Sequence, residues 1–277
     1  MDTVTTRPAP PPASPAEDSH PHPHDSGVIM CCEDLVVGYQ GKAVLPPINL
    51  QVSRGTFLAV IGRNGSGKST WFKTLLGLLE PVSGRVYRSN ARIKSAYVPQ
   101  TSGIDSLLPV RARELVQWGR LSGWNFLWPF ALRKDRGLVD AALDSAGARP
   151  ISHRPYRDLS EGQKQRALLA RVLATEADLI LLDEPTAAMD AVAERETMQR
   201  LSDLAHTRGL AVVVVSHDLQ EAARCADQLL FVDRETMTVV QGDANTVFCH
   251  PAFRRQYGDD YCPTHPASGH PRGPAAG

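Results

Sequence analysis

Gly62-Arg63-Asn64-Gly65-Ser66-Gly67-Lys68-Ser69-Thr70 follows directly on a short apolar run, Phe57-Leu58-Ala59-Val60-Ile61. The first eight of these residues fit G-x-x-x-x-G-K-[ST], the phosphate-binding P-loop. Glycines at these places let backbone N–H groups turn inward around an anion without Cβ clashes. Lys68 is placed to reach β- and γ-phosphates, and the Ser69 hydroxyl is a hard oxygen ligand for Mg2+. Residues 70–79 are apolar at Trp71, Phe72, Leu75, Leu76, Leu78 and Leu79. They read as the helix that follows, with its positive end toward the phosphates. Strand, glycine loop and helix in this order disfavour a chance Gly-rich turn. Taken alone, the loop says nucleoside triphosphate binding, a property shared by kinases, GTPases and motor ATPases.

A second stretch completes the chemistry. Leu179-Ile180-Leu181-Leu182-Asp183-Glu184 is an unbroken apolar run ending in two carboxylates. Four apolar residues in a row fit a strand buried on both faces, which delivers its carboxylates at the C-terminal edge of a sheet. Asp183 is placed to hold Mg2+ through water, and Glu184 to polarise an attacking water as general base. An Asp-Glu pair after a strand is commonly a cap or a surface pair. Downstream of a P-loop, the catalytic reading takes precedence.

Around these two stretches the chain reads as one α/β domain. Eleven of the 21 prolines fall in residues 1–27 and 262–277, segments rich in Ser, Ala, Gly and His with few large apolar side chains. Such ends bury too little surface to offset the entropy of ordering and are expected to be disordered. In residues 28–261, short apolar runs alternate with helical patterns and no repeat occurs, which predicts a largely parallel core sheet. Lys plus Arg total 30 and Asp plus Glu total 30, so the net charge is zero and no basic excess suits a nucleic-acid backbone. No apolar run approaches the ~20 residues that cross a bilayer, the best being residues 210–215. The N-terminus lacks a basic-then-apolar signal pattern. Five cysteines, at 31, 32, 225, 249 and 262, are odd in number and lack metal-ligand spacing. They are expected to be reduced thiols of a cytosolic protein.

Leu159-Ser160-Glu161-Gly162-Gln163, ahead of a strongly helical stretch over 164–174, closely resembles the LSGGQ signature of ABC-type ATPases. Other pieces resemble that family in the same order: Tyr39 before the P-loop, Gln100 ending Tyr97-Val98-Pro99-Gln100, Ala188-Met189-Asp190, and His217 after residues 211–215. The resemblance implies a P-loop NTPase cassette: a RecA-like core sheet, an antiparallel β subdomain, and a helical subdomain at about 101–175. It implies ATP and Mg2+ as cofactors. Tyr39 would stack on adenine. Gly62, Asn64, Gly65, Ser66, Gly67, Lys68, Ser69 and Thr70 would cradle the phosphates. Ser69, Gln100 and Asp183 would hold the metal, and Glu184, His217 and Gln100 would be catalytic. Ser160, Gly162 and Gln163, with the N-terminal end of their helix, would bind the γ-phosphate of ATP held by a second copy. Two half-sites of this kind are completed only in a head-to-tail dimer with two-fold symmetry.

Glu161 departs from the family pattern, which has glycine there. Ser160 and Gln163 retain capping-box spacing, and a first-turn carboxylate suits the helix dipole. A negative charge near the partner copy's γ-phosphate would instead oppose closure. His153, His206 and His250 match no motif and read as surface residues.

A cassette without membrane spans implies separate permease subunits, an extracytoplasmic substrate-binding protein and a place on the inner face of the cell membrane. Trp118, Trp124, Phe126, Trp128 and Phe130 cluster in the helical subdomain. They read first as its core, and second as anchors for a membrane subunit along residues 123–130. Among importers, Tyr97–Gln100, Asp105, Pro109-Val110, Trp118-Gly119-Arg120 and the ending Phe253-Arg254-Arg255-Gln256-Tyr257-Gly258 resemble zinc, manganese and iron cassettes. Wording near residues 153–157 is shared with iron-siderophore and cobalamin cassettes, the alternative. His20, His22, His24, His265 and His270 suit zinc chemically, but composition drift in Pro-rich tails is the preferred reading, and none of them is taken as a site residue. Family members that act on nucleic acid or the ribosome add coiled coils, zinc modules or a second cassette, which this chain lacks. A P-loop kinase would leave residues 159–163 without a role.

Overall fold

Residues 57–61, 179–183 and 211–215 are buried without exception, as expected for strands covered on both faces. The computed structural model describes residues 27–89, 93–99, 110–121, 135–187 and 189–262. Gln100, Asp105, Pro109, Trp124, Phe126, Trp128, Phe130, Ala188 and most of both Pro- and His-containing ends lie outside the described residues, so the expectations resting on them are not addressed by it.

Numbering strands along the chain, the core sheet runs β11 (Thr238–Gly242), β10 (Gln228–Asp233), β5 (Phe57–Ile61), β9 (Ala211–Val215), β8 (Leu179–Asp183), β7 (Ser95–Val98). All neighbours are parallel except β10 and β11. Alternation within each buried strand divides the core in two. Phe57, Ala59, Ile61, Ile180, Leu182, Val212 and Val214 face one apolar layer, and Leu58, Val60, Leu179, Leu181, Val213 and Val215 the other.

The second layer is closed by an antiparallel sheet, β1 (Val28–Val36) between β4 (Ile48–Ser53) and β6 (Ser83–Arg88), together with helix α1 (Lys68–Leu75). On α1, Trp71 and Phe72 are fully buried, each contributing roughly 1.5–3 kcal/mol by leaving water. A two-residue hairpin joins β2 (Gly38–Tyr39) to β3 (Lys42–Ala43). Gln40 and Gly41 both have positive φ, as a turn matched to strand twist requires.

The first layer is closed by helices α2 (Ala112–Trp118), α3 (Arg136–Ser145) and α4 (Glu161–Leu173), which pack on one another, and by α5 (Ala191–Arg208), α6 (Leu219–Cys225), α7 (Ala244–Phe248) and α8 (Pro251–Tyr257). Among the described residues no helix is long and apolar enough to cross a membrane.

Two expectations need correction. The helix read over residues 70–79 spans Lys68–Leu75 instead. Gly77, at φ 73°, turns the chain out, Leu78 N–H donates to Lys73 O and Gly77 N–H to Thr74 O. This is a Schellman stop, and it leaves Leu78 71% exposed. The cysteines are not all reduced: Cys249 and Cys262 form a disulfide, their Cα atoms 4.9 Å apart once α8 folds back on α7. Cys31, Cys32 and Cys225 are free and buried. His250, read as a surface residue, caps α8 by accepting from Ala252 N–H at 3.2 Å.

Candidate functional site

Register places the chemistry on one sheet edge. Phe231 pairs with Ile61, Val60 with Val215, and Val215 with Asp183. The segments that leave β5, β9 and β8 therefore emerge side by side: Gly62 onward, Ser216-His217, and Glu184. Strand β9 lies between the loop strand and the carboxylate strand. His217 is consequently delivered between the phosphate cradle and the acidic pair.

The loop fits an anion. Gly65 and Gly67 have φ of 79° and 104°, where L side chains are strained. A Cβ on Gly62 would collide with the Val232 carbonyl and the Ser66 hydroxyl. The Lys68 ammonium donates to the carbonyls of Gly62 and Arg63, at 2.6 and 2.8 Å. Burial pushes the Lys68 pKa down, while Glu184 and Asp183 act against that shift. Ser66 Oγ is buried with no hydrogen-bond partner among the described residues. An orphaned hydroxyl in a glycine-rich loop of this kind suits a phosphate oxygen. Ser69 is exposed beside it, and Thr70 Oγ1 donates to Tyr39 Oη at 3.4 Å. That contact ties the β2–β3 hairpin, and the 48% exposed Tyr39 ring, to the start of α1.

Asp183 is 6% and Glu184 9% exposed. Burial, then the neighbouring Glu184 charge, raises the Asp183 pKa, and Lys68 and Tyr97 oppose this. Tyr97 Oη donates to Asp183 Oδ2 at 3.5 Å, and burial pushes the phenol up to about 12. Two hard oxygens, from Ser69 and Asp183, suit Mg2+ in ligand type. Glu184 sits at φ 50°, a left-handed conformation that a glutamate adopts at a cost, as functional turns often do. His217 Nδ1 lies 3.9 Å from Glu184 Oε2. Its backbone is held on both sides: Ser216 N–H donates to Val60 O, and Asp218 caps α6 by accepting from the Gln220 and Glu221 N–H groups.

At the start of α4, Ser160 Oγ accepts from Gln163 N–H at 3.4 Å, and Gln163 Oε1 accepts from Ser160 N–H at 3.2 Å. This is the capping box expected from the spacing. Glu161 is salt-bridged to Lys164 at 2.7 Å, so its charge is compensated within one turn. Ser160, Glu161, Gly162, Gln163 and Arg166 line a cavity of about 280 Å³ with Met189, Asp190 and Ala193. The cavity beside the P-loop, about 350 Å³, is lined by residues 63–66 and 233–235 and shares no residue with it. The P-loop and the start of α4 thus line two cavities with no residue in common. Replacing Ser160 with alanine is expected to lower unfolding free energy by about 1 kcal/mol, read from the urea midpoint. An unshifted midpoint would show that the cap contributes nothing.

Gln100 and Ala188 lie outside the described residues, whereas Met189 and Asp190 are in place. Asp190 caps α5 through Ala193 N–H. Tyr97, read from sequence only as part of the stretch ending at Gln100, and Asp233, not read as a site residue, belong to the site's surroundings. Strand β7 pairs with β8 across 84 or so residues, and no local pattern carries that information.

The sequence matches the family model described as ABC transporter over residues 45–187. It is 35% identical over 232 residues to the manganese transport system ATP-binding protein MntB of Bacillus subtilis, covering 82% of this chain and 91% of that protein. It is 32% identical over 235 residues to the zinc import ATP-binding protein ZnuC of Pseudomonas entomophila, covering 85% of this chain and 86% of that one. The structure superposes on a bacterial ABC transporter cassette solved as a dimer, with a TM-score of 0.62 and 27% identity over 74% of this chain and 95% of that one.

Proposed function

Because the chain belongs to the ABC transporter family, whose ATP-binding subunits are ATPases coupled to transport, we propose that it drives import of a zinc- or manganese-type metal ion through separate membrane subunits. The observation that carries the cargo is the identity to manganese and zinc import subunits across more than four-fifths of the chain.

In this reading the P-loop N–H groups from Gly62 to Thr70, with Asn64 and Lys68, hold the β- and γ-phosphates, and Tyr39 holds the adenine. Ser69, Asp183 and Gln100 would hold Mg2+, which would supply positive charge against the phosphates. Glu184 takes the proton of the attacking water, and His217 orients Glu184 and the γ-phosphate edge. Ser160, Gly162 and Gln163 of a second copy complete each site, so ATP binds two cassettes together. Loss of the γ-phosphate contact releases them, an order-to-disorder switch set by one bond. The alternation would be passed to permease subunits at the inner face of the membrane, with cargo specificity residing there and in an extracytoplasmic binding protein.

Deleting the gene is expected to lower cellular zinc or manganese when that metal is limiting, measured by elemental mass spectrometry, with growth restored by adding the metal. An unchanged metal inventory, with lost uptake of an iron chelate or a cobalamin, would reassign the cargo and leave the ATPase chemistry intact.

A further inference from the structure

The disulfide joins two points on either side of α8. Cys249 ends α7 and Cys262 follows α8, so the bridge closes a loop around that helix. Within the loop, Phe253 is fully buried, with ring centroids 5.4 Å from Phe231, 4.8 Å from Phe248 and 4.8 Å from Tyr257. Phe231 lies on β10, paired with Ile61 immediately before the P-loop. Tyr257 packs on Phe231 at 6.4 Å, and its partly buried phenol lies within electrostatic reach of Arg63 in the P-loop and Asp233 at the end of β10. Both residues line the cavity beside the loop. A continuous packed path therefore runs from the bridge through α8 to the phosphate cradle.

Accessibility singles out this pair among the five cysteines. Cys31, Cys32 and Cys225 are buried, and burial raises their thiol pKa, Cys32 to about 12, which suppresses the reactive thiolate. Cys249 is half-buried, whereas Cys262 is 2% exposed. An external thiolate thus has one sulfur to attack.

We propose that Cys249–Cys262 is a thiol-exchange site for low-molecular-weight thiols, and that its redox state sets how firmly α8 supports the P-loop. A thiolate RS⁻ attacks Cys249 Sγ, forming the mixed disulfide Cys249–S–SR as Cys262 leaves and takes a proton. A second RS⁻ attacks the outer sulfur, releasing Cys249 and RSSR. Two RSH are oxidised to RSSR as the bridge is reduced to two thiols, and excess RSSR reverses both steps. The coupling to nucleotide rests on the proposed reading of the P-loop as an ATP site, whereas the exchange chemistry does not.

The test uses the full chain. Thiol counting after denaturation without reductant is expected to give three free thiols, rising to five with dithiothreitol. Titration with a fluorescent ATP analogue is expected to show affinity about fivefold or more weaker for the reduced protein, the lower range of typical site coupling. The double variant Cys249→Ser, Cys262→Ser should stay at the weak value whatever the redox buffer. With oxidised glutathione, Cys262→Ser should gain one glutathione by mass at Cys249, and Cys249→Ser should gain none at Cys262. Five thiols without reductant, equal affinities in the two redox states, or preferential labelling of Cys262 would overturn the proposal. Three thiols with no analogue binding in either state would instead overturn the reading of the phosphate site.

Discussion

Replacing Glu184 with glutamine is expected to slow ATP hydrolysis at least about 100-fold, the ordinary contribution of a positioned general base, while Mg-ATP binding persists. The amide preserves size and reach at a backbone position already held at φ 50° by Glu184 N–H donating to Val215 O. What is lost is the capacity to take a proton. The Glu184 charge also raises the pKa of Asp183, so its removal favours the ionised form of Asp183. Steady-state phosphate release measures the first part and nucleotide titration the second. Hydrolysis near the wild-type rate would show that another group activates the water.

Lys68→Ala should have the opposite signature, loss of binding before any loss of chemistry. The Lys68 ammonium is 7% exposed in residue terms and is held by the Gly62 and Arg63 carbonyls, so it is positioned in advance. A charge-assisted contact of this type is worth about 1.5–3 kcal/mol, or roughly 10- to 150-fold in Kd. Titration with a fluorescent ATP analogue reads the change, with the thermal midpoint as a check on folding. A variant that binds as tightly as wild type would exclude Lys68 from the phosphate site.

Local information made much of this arrangement legible. The P-loop, the carboxylate strand and the Ser160–Gln163 box are contiguous, and each is dictated by backbone demands within a few residues. Strand bounds at 57–61 match because an unbroken apolar run between polar turns has one way to be buried. The end of α1 was overread, since Leu78 and Leu79 continue the apolar pattern and Gly77 stops the helix beforehand. Contacts set by topology were not legible. Tyr97 meets Asp183 only because β7 lies beside β8, and Tyr257 comes near Arg63 only because α8 packs on β10. Cysteine spacing likewise gives no pairing; the fold of α8 against α7 does. Glu161, a departure in sequence, is paired with Lys164, a geometry that tempers the expected repulsion at a closed interface.

In the proposed reading ATP completes its site across two copies of this chain, because the P-loop and signature cavities share no residue within one copy. Light scattering on the Glu184→Gln variant, with and without Mg-ATP, tests it most directly. A mass near 30.2 kDa is expected without nucleotide and twice that with ATP. A variant that binds ATP and remains a monomer would contradict it.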